Sequence, residues 1–566
     1  ETETQALREL FGLATNEEIE NSIRKEYPQI NEGLDSLKNA SSSIDISSIK
    51  QIASLMRNKE LKEDIWYKIA TDEGRSRLGF VLDIIESDLR SFLEEKVDYL
   101  RNKKAFVFVG MGGSINTIKI MRKITDKKII FLDTPDKEMI EEVIRDLQKK
   151  GISLKELEII AISKSATTFE THAIVNILNE IYSQAKEDIT QNLLWLIDLE
   201  NEGKLKDKLK ENGWEEERIA KLNITFIQID KATDIGGRFT SPKTALFILP
   251  LFIHLDLDIE RTIKVLRYIQ QLEKDRAFED RINEYVNLVI REKEVYPQVA
   301  IILPEKFKDF FEEISIWLTQ LYQESLGGKV DGFDPKILVF LENQLEEKVE
   351  NLLNRHRIIK LDYTFLDESN LIKNLIYLFL SLEYIVLGIA YKYSLKYEPL
   401  NFVNQPNVEA YKKKMKEIEE LELPQKIKLV SLESLIKTHL KENHKFIEIV
   451  YYGTNEEIYR KLNANRIIED RFVLVFKGPD WNHHSFQAAY KAGHTLFLLL
   501  VDENTDKNVK LIAYATYQSL GENNVEVIYK GVSSSLEVRI DNEKIVIAQK
   551  DLQKITSLLP KILKEY

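Results

Sequence analysis

The feature that most constrains the fold is an alternation of short apolar runs with amphipathic stretches, which begins near Lys103. Short apolar runs bounded by turn residues are typical of strands buried on both faces, and the stretches between them have helical periodicity. This alternation predicts an α/β protein with parallel sheets covered by helices on both faces. The runs are KAFVFVG, KIIFLDT, LEIIAIS, LLWLID and NITFIQID, then VAIILP, KILVFLEN, RIIKLDY, FIEIVYYG, RFVLVFKG and HTLFLLLVD.

The chain has 566 residues, and single cores stop growing at roughly 250–300 residues, so we expect at least two domains. We predict a helical N-terminal region over 1–100, a first αβα sandwich over 101–260, a helical bridge over 261–297 and a second αβα sandwich over 298–523. A C-terminal extension over 524–566 follows, in which VEVIYKG, SLEVRI and KIVIAQ alternate like a small antiparallel addition.

Charge and cysteine content exclude several classes of function. The formal net charge of −13 argues against a nucleic-acid partner, because phosphate contacts need a basic stripe. The absence of cysteine excludes disulfides, thiolate zinc sites and a cysteine nucleophile, and favours a reducing compartment. The N-terminus lacks the pattern of a secretory signal, so we expect a cytoplasmic protein. The apolar run LIYLFLSLEYIVLGIAY carries Glu383, which predicts a core helix rather than a membrane span.

Two polar loops follow strands of the predicted first sheet. The loop Gly110–Ser114 is rich in glycine, which lets backbone N–H groups approach an anion, or simply makes a tight turn. A dinucleotide fingerprint requires glycine where Ile115 stands. The segment SKSATTFET, from Ser163, offers four hydroxyls before Phe169, one ammonium and a helix N-terminus, which suit a phosphate monoester better than an ordinary cap. Thr167 with Glu170 predicts a capping box that starts this helix.

Two further motifs carry an arginine and a carboxylate. The glycine pair before Arg238 permits close backbone approach and delivers a permanently charged guanidinium to a cleft or to the surface. Gln320 and Glu324 stand four residues apart in WLTQLYQESLGGK, so a helix there projects both from one face, which is a solvated face in most helices.

The last two motifs lie in the second half of the chain. In NQPNVEAYKK, Pro406 marks the first turn of a helix, and Lys412 lies two turns beyond Gln405 on the same face. In NHHSFQ, His483 and His484 begin a helix after a strand. Neither histidine has the spacing of a metal site, so we predict no metal.

Taken in order, these segments resemble the motifs of the phosphoglucose isomerase family, which are a GxGGS loop, an SKTxTTxET phosphate loop, a GGR turn, a QxxxES helix and a DQPGVExxK helix. The resemblance spans roughly residues 100 to 500. It implies two sugar isomerase (SIS) subdomains, a sugar-phosphate substrate, no cofactor, no membrane partner and a homodimer. The segment ESLGGKVDGF is similar to the isomerase half of bifunctional transaldolase/phosphoglucose isomerases, although no transaldolase half is seen in this chain.

The resemblance also implies a role for each motif. The residues that it implies at the phosphate are Ser163, Lys164, Ser165 and Thr168, with Gly113 and Ser114 nearby. The residues that it implies around the reacting carbons are Gly237, Arg238, Gln320 and the base Glu324, with Gln405 and Lys412 at the phosphate and ring-oxygen ends. The candidates for ring opening are Lys412 and His484, and His483 or another group stays open as the alternative, because HHSFQ follows NQPNVE here and the family's histidine precedes its counterpart.

These assignments predict an aldose-ketose isomerase that interconverts glucose 6-phosphate and fructose 6-phosphate through a cis-enediol. Two alternatives stay open: a non-catalytic sugar-phosphate sensor on the same fold, and an isomerase that also accepts mannose 6-phosphate. A sensor needs the phosphate loop but has no use for a base such as Glu324. A nicotinamide oxidoreductase is disfavoured by the missing third glycine of the fingerprint.

Overall fold

The computed structural model describes residues 43–61, 64–328, 333–364, 366, 370–419, 432–463, 467–502, 505–522, 527–531, 538–540 and 543–545. Internal contacts divide the chain into two units, Glu1–Asp45 and Ile46–Tyr566. Every described helix and strand lies in the second unit, and the finer domain boundaries that the sequence suggests stay predictions.

The described part of the N-terminal region is mostly helical, as predicted. Its helices are α1 (Ile46–Arg57), α2 (Ile65–Ala70) and α3 (Glu86–Leu100). A short antiparallel hairpin that the sequence analysis missed joins β1 (Thr71–Asp72) to β2 (Arg75–Ser76). Its two turn residues, Glu73 and Gly74, both have positive φ, which is the backbone shape that tight hairpins favour.

The first sheet contains the five predicted strands, and all of its pairings are parallel. The strands are β3 (Ala105–Val109), β4 (Lys128–Leu132), β5 (Leu157–Ile162), β6 (Leu193–Ile197) and β7 (Asn223–Phe226). The helices between them are α4 (Asn116–Ile124), α5 (Lys137–Lys149), α6 (Phe169–Gln184), α7 (Glu202–Glu211) and α8 (Glu216–Ile219). The strand order is β4-β3-β5-β6-β7, so the chain leaves β3 and β5 in opposite directions and opens a crevice at their carboxyl ends.

Three consecutive helices connect the two halves, α9 (Ala245–His254), α10 (Ile259–Leu272) and α11 (Arg276–Val289). The next three, α12 (Phe311–Thr319), α13 (Glu347–Arg355) and α14 (Leu371–Ser394), alternate with and follow the first strands of the second half. Helix α14 is long and apolar enough to cross a membrane, but 83% of its most apolar window is buried inside the protein. The prediction of a buried helix around Glu383 is therefore confirmed.

The six predicted strands of the second half are all present, but they form two hydrogen-bonded sheets instead of one. The six are β8 (Gln298–Leu303), β9 (Lys336–Leu341), β10 (Ile359–Asp362), β11 (Phe446–Tyr452), β13 (Arg471–Gly478) and β14 (Thr495–Val501), and two further strands, β12 (Ile467–Ile468) and β15 (Val527–Gly531), join them. The orders are β10-β8-β9 and β12-β13-β11-β14-β15. A narrow cleft lined by residues 337–340 and 472–476 separates β9 from β13.

The strand β15 pairs in parallel with β14, so the predicted antiparallel arrangement of VEVIYKG is wrong, because this run completes the neighbouring sheet. The later runs do form an antiparallel pair, β16 (Val538–Ile540) with β17 (Glu543–Ile545). The helices of this half are α15 (Val408–Glu419), α16 (Leu432–His439), α17 (Glu456–Asn463), α18 (Asp480–His484), α19 (Phe486–Ala489) and α20 (Lys507–Gly521).

A buried ion pair links the two sheets of the second half. Lys336 of β9 donates to Glu448 of β11, and both side chains are at most 2% exposed. The indole N–H of Trp481, in α18, donates to the other oxygen of Glu448 at 2.8 Å. Because the carboxylate has both oxygens engaged, its burial is tolerated, and the pair fixes α18 relative to two strands.

Replacing Lys336 by methionine should leave Glu448 charged and buried without its cation. We expect the free energy of unfolding, measured with urea, to fall by about 3–5 kcal/mol. The matched control is Lys137→Met, which removes a surface pair with Glu180 whose side chains are 52% and 55% exposed, and it should leave the free energy of unfolding nearly unchanged. Equal losses in the two variants would show that the buried pair is not needed for stability.

Candidate active site

Two glycines after β3 bring the motifs together. A Cβ on Gly112 would lie 2.7 Å from Cβ of His483 and 2.9 Å from Nε2 of Gln320. A Cβ on Gly113 would lie 2.5 Å from the carbonyl oxygen of Gly237. Real Cβ atoms do not approach other atoms this closely, so any side chain here would push the neighbouring motifs apart.

The predicted base lies at the end of the helix that continues α12. Gln320–Glu324 is a π-helical turn, a feature that is frequent at functional sites. The Gln320 amide donates from Nε2 to Oε2 of Glu324 at 2.9 Å, which confirms that the two side chains share one face. Glu324 is only 3% exposed. Burial raises the pKa of Glu324 above its usual value, although the nearby Arg238 charge works against this shift.

The Arg238 guanidinium is fixed by two hydrogen bonds from different segments. Nε donates to the Ser325 hydroxyl at 2.9 Å, and Nη2 donates to the Phe402 carbonyl at 2.9 Å. The third nitrogen, Nη1, lies 3.5 Å from Oε1 of Glu324 and has no hydrogen-bond partner among the described residues. The pair is therefore close but only loosely engaged.

The Ser/Thr-rich loop after β5 has a different local structure from the predicted one. Helix α6 begins after Thr168, which makes no side-chain cap, so the predicted capping box of Thr167 with Glu170 is wrong. The Ser163 and Thr168 hydroxyls instead bond each other at 2.8 Å. A Cβ on Gly110 would lie 3.4 Å from Cβ of Ile162 and 3.7 Å from Cβ of Ser114. The glycine loop and the hydroxyl loop therefore begin side by side, at the ends of the adjacent strands β3 and β5.

Lys164 supplies the positive charge of this loop. Its ammonium lies 3.6 Å from the Asp198 carboxylate, which is almost fully buried. Burial lowers the pKa of Lys164 to about 8, and the attraction of Asp198 limits this shift. Ser165 is exposed beside it. An incoming oxyanion would gain a cation, hydroxyls and the N-terminus of α6 at one place.

Of the two histidines in α18, the structure places His483 rather than His484 in this constellation. His483 Nε2 lies 3.2 Å from Oε1 of Glu170. Burial disfavours the charged imidazole, but the Glu170 carboxylate outweighs it and raises the pKa of His483. The His484 ring packs against Phe476 with centroids 5.2 Å apart, and burial lowers its pKa to about 4.

His484 is the residue that the sequence analysis put forward, and its environment is that of a core side chain. Its Nδ1 bonds the adjacent Ser485 hydroxyl at 2.7 Å, and its buried Nε2 has no hydrogen-bond partner within the part of the chain that the structure describes. The two neighbours in the chain point to different sides of α18, which no property of the dipeptide reveals.

The remaining predicted residues, Gln405 and Lys412, follow Phe402, whose carbonyl accepts from Arg238. Helix α15 begins at Val408, so Pro406 and the half-buried Gln405 precede it instead of forming its first turn. Lys412 is exposed and pairs with Glu409 at 2.8 Å, yet its charge still acts on Glu324 and on His483. The segment is tied to the site through Phe402.

Several supporting residues escaped the sequence analysis. Ser325 and the Phe402 carbonyl hold Arg238, and Glu170 holds His483. No pattern in the sequence marks these contacts, since they join segments far apart in the chain. Among the described residues, no group of three or more His, Asp or Glu side chains is arranged to hold a metal ion.

The site combines four functional groups or sets of groups. It has a buried carboxylate with a raised pKa, a guanidinium with one unused donor, an imidazole paired to a carboxylate, and an anion cradle. A carboxylate in such surroundings is suited to take a proton and return it near neutral pH.

No protein-family model and no curated protein matches the chain. Among solved structures, a glucose-6-phosphate isomerase from Chlamydia trachomatis is 16% identical, with a TM-score of 0.47 over 66% of this chain and 85% of that one. A hypothetical protein from Thermus thermophilus is 16% identical, with a TM-score of 0.45 over 66% and 96%. The tagatose-6-phosphate ketose/aldose isomerase of Escherichia coli is 12% identical, with a TM-score of 0.34 over 64% and 98%. Likenesses of this size do not decide a family or a reaction.

The lowered pKa of Lys164, about 8, predicts a pH-dependent anion site. Lysine is charged below its pKa, so sulfate should bind at neutral pH and weaken as the pH rises through 8. Sulfate is a suitable probe because its own charge does not change in this range. In Lys164→Arg the guanidinium stays charged, and the decline should disappear. Calorimetric titration at several pH values measures this; the same decline in the arginine variant would show that another group titrates.

Proposed function

We propose that this protein is a sugar-phosphate aldose-ketose isomerase built on two SIS-type αβα subdomains, and that it interconverts glucose 6-phosphate and fructose 6-phosphate. The observation that carries the proposal is the buried Glu324 carboxylate, held by Gln320 and facing Arg238, next to an anion cradle. Proton transfer between adjacent carbons needs one base that can both accept and donate, together with a cation for the oxygen that becomes negative.

In the proposed reaction, Glu324 removes the proton from C2 of the open-chain aldose and returns it to C1 of the cis-enediol. Its raised pKa makes the carboxyl a competent donor in the second step. The unused Nη1 of Arg238 donates to the oxygen that carries negative charge in the intermediate. Donors of this kind contribute about 3–4 kcal/mol to the stability of a transition state.

The cradle around Lys164 binds the phosphate, at the end of the sugar opposite to the reacting carbons. Binding energy gained there orients the sugar chain relative to Glu324, so the cradle affects rate as well as affinity. The hydroxyls of Ser163 and Thr168, which bond each other at 2.8 Å, turn toward phosphate oxygens when the substrate arrives.

His483 handles the proton transfers of ring opening in this proposal. The cyclic sugar must receive a proton at its ring oxygen before C2 can react, and an imidazolium held by Glu170 is a suitable donor. His483 also carries its backbone carbonyl to within 2.9 Å of Gln320 Nε2, so it stands beside the base.

The central experiment measures fructose 6-phosphate to glucose 6-phosphate conversion for wild type and Glu324→Gln. The substitution keeps the shape of the side chain and removes the base, so kcat should fall by about 10²–10⁴-fold. The matched control is Glu313→Gln, since Glu313 lies on the preceding helix α12 and pairs with Lys123 at 3.3 Å; its activity should equal that of wild type. A wild type that binds the sugar phosphate without turnover would contradict the proposal and favour the sensor.

The role of His483 can be separated from that of Glu324 by the choice of substrate. Erythrose 4-phosphate cannot close a ring, because its phosphate blocks the oxygen that would form it. His483→Asn should therefore slow the conversion of cyclic glucose 6-phosphate by about 10²-fold or more, the range of a lost acid-base group, and leave erythrose 4-phosphate turnover nearly unchanged. His484→Asn should lower thermal stability without slowing one substrate more than the other. If His484→Asn, and not His483→Asn, slowed only the cyclic substrate, His484 would be the ring-opening residue.

A further inference from the structure

Asn116 is a fully buried polar residue that lies just beyond the glycine loop, outside every motif singled out in the sequence. It is the first residue of α4 and has no exposed surface. Its Nδ2 donates to Oε1 of Gln320 at 2.8 Å. Its own oxygen, Oδ1, is buried with no hydrogen-bond partner in the described part of the chain. An apolar side chain of similar size would remove this unpaired oxygen but would leave Oε1 of Gln320 without its donor. The contact with Gln320 is therefore what distinguishes asparagine from an apolar residue here.

The contacts of Gln320 fix which end of its amide faces the base. One end of the Gln320 amide faces two groups that can only accept hydrogen bonds, the Glu324 carboxylate and the His483 carbonyl. Both lie 2.9 Å from the same amide atom. That atom must be the NH₂ group, because a carbonyl there would face two acceptors. The opposite atom is then an oxygen, and it needs a donor. Asn116 provides that donor.

The glycine loop makes this arrangement possible. The Gln320 amide nitrogen occupies the space that Cβ atoms of Gly112 and Gly113 would need, at 2.9 Å and 3.3 Å. Asn116 lies two residues beyond Ser114, at the end of the same loop. A single segment after β3 therefore leaves room for the Gln320 amide nitrogen and donates a hydrogen bond to the Gln320 amide oxygen.

We propose that Asn116 is a positioning residue, which acts on the base Glu324 by locking the orientation of the Gln320 amide. This inference rests on the proposed isomerase function. Without Asn116 the buried Gln320 carbonyl has no donor, so the amide is held from one end only and can move away from Glu324 to find another partner. The base would then lose the donor that Gln320 provides.

The test is Asn116→Leu, which removes the donor and keeps the volume. We expect kcat to fall about ten- to a hundredfold, as for a lost hydrogen bond to a charged group, with KM little changed because Asn116 touches no substrate. The acidic limb of the kcat profile should move to higher pH, because a donor to the carboxylate favours its charged form. The other groups that act on Glu324 are Arg238, His483 and Lys412, and they are unchanged in this variant.

Two controls separate positioning from a merely structural effect. Asn192 is also buried and donates to the carbonyls of Lys155 and Leu157 at 3.0 and 2.7 Å; Asn192→Leu should lower thermal stability and leave the pH limb in place. In a Gln320→Met background, Asn116→Leu should cause no further loss of kcat, because its route to Glu324 is gone.

The outcomes distinguish the inference from the function on which it rests. A wild type without isomerase turnover overturns the proposed function. An active wild type with an Asn116→Leu variant of equal kcat and equal pH limb overturns only the role of Asn116. Losses that add in the double variant also overturn it, since Asn116 would then act independently of Gln320.

Discussion

The site depends on the burial of one carboxylate, Glu324, opposite one guanidinium, Arg238. Both are at most 3% exposed, and moving such charges out of water is costly unless the remaining hydrogen-bonding capacity is used. The structure meets this requirement with Gln320 for the carboxylate and with Ser325 and the Phe402 carbonyl for the guanidinium. Segments far apart in the chain must therefore meet here, because no single loop carries enough partners.

The architecture of parallel strands explains why these segments can meet. In the first sheet the chain leaves β3 and β5 in opposite directions, and the crevice between their carboxyl ends receives the glycine loop and the hydroxyl loop. Helix α12, which continues into the turn Gln320–Glu324, and helix α18 of the second half contact the glycine loop at this crevice. The Lys336–Glu448 pair and the Trp481 indole fix α18 relative to β9 and β11. Because His483 lies only two residues after Trp481, this structural ion pair also helps to fix the position of His483.

The sequence predicted what depends on local pattern. Buried strands appear as apolar runs whatever their neighbours, so every strand of the two halves that the pattern indicated is present, and the pairing of Gln320 with Glu324 followed from helical spacing. Features decided by tertiary contact were missed. The predicted capping box failed because Glu170 contacts His483, from the other half of the chain, instead of the helix start. The division of the second half into two sheets was not predicted either, because the composition of β13 does not show that it pairs with β12 at its edge.

The loose geometry of the Glu324–Arg238 pair is consistent with its proposed use. A bidentate pair at hydrogen-bonding distance would hold the carboxylate in its charged form and lower its pKa, which would make Glu324 a weak base. At 3.5 Å the guanidinium offsets only part of the cost of burial, and the pKa of Glu324 stays raised. The same separation leaves Nη1 of Arg238 without a partner. A substrate oxygen that enters between them would therefore gain a charged donor without first breaking a strong ion pair, and it would meet the base on its other side.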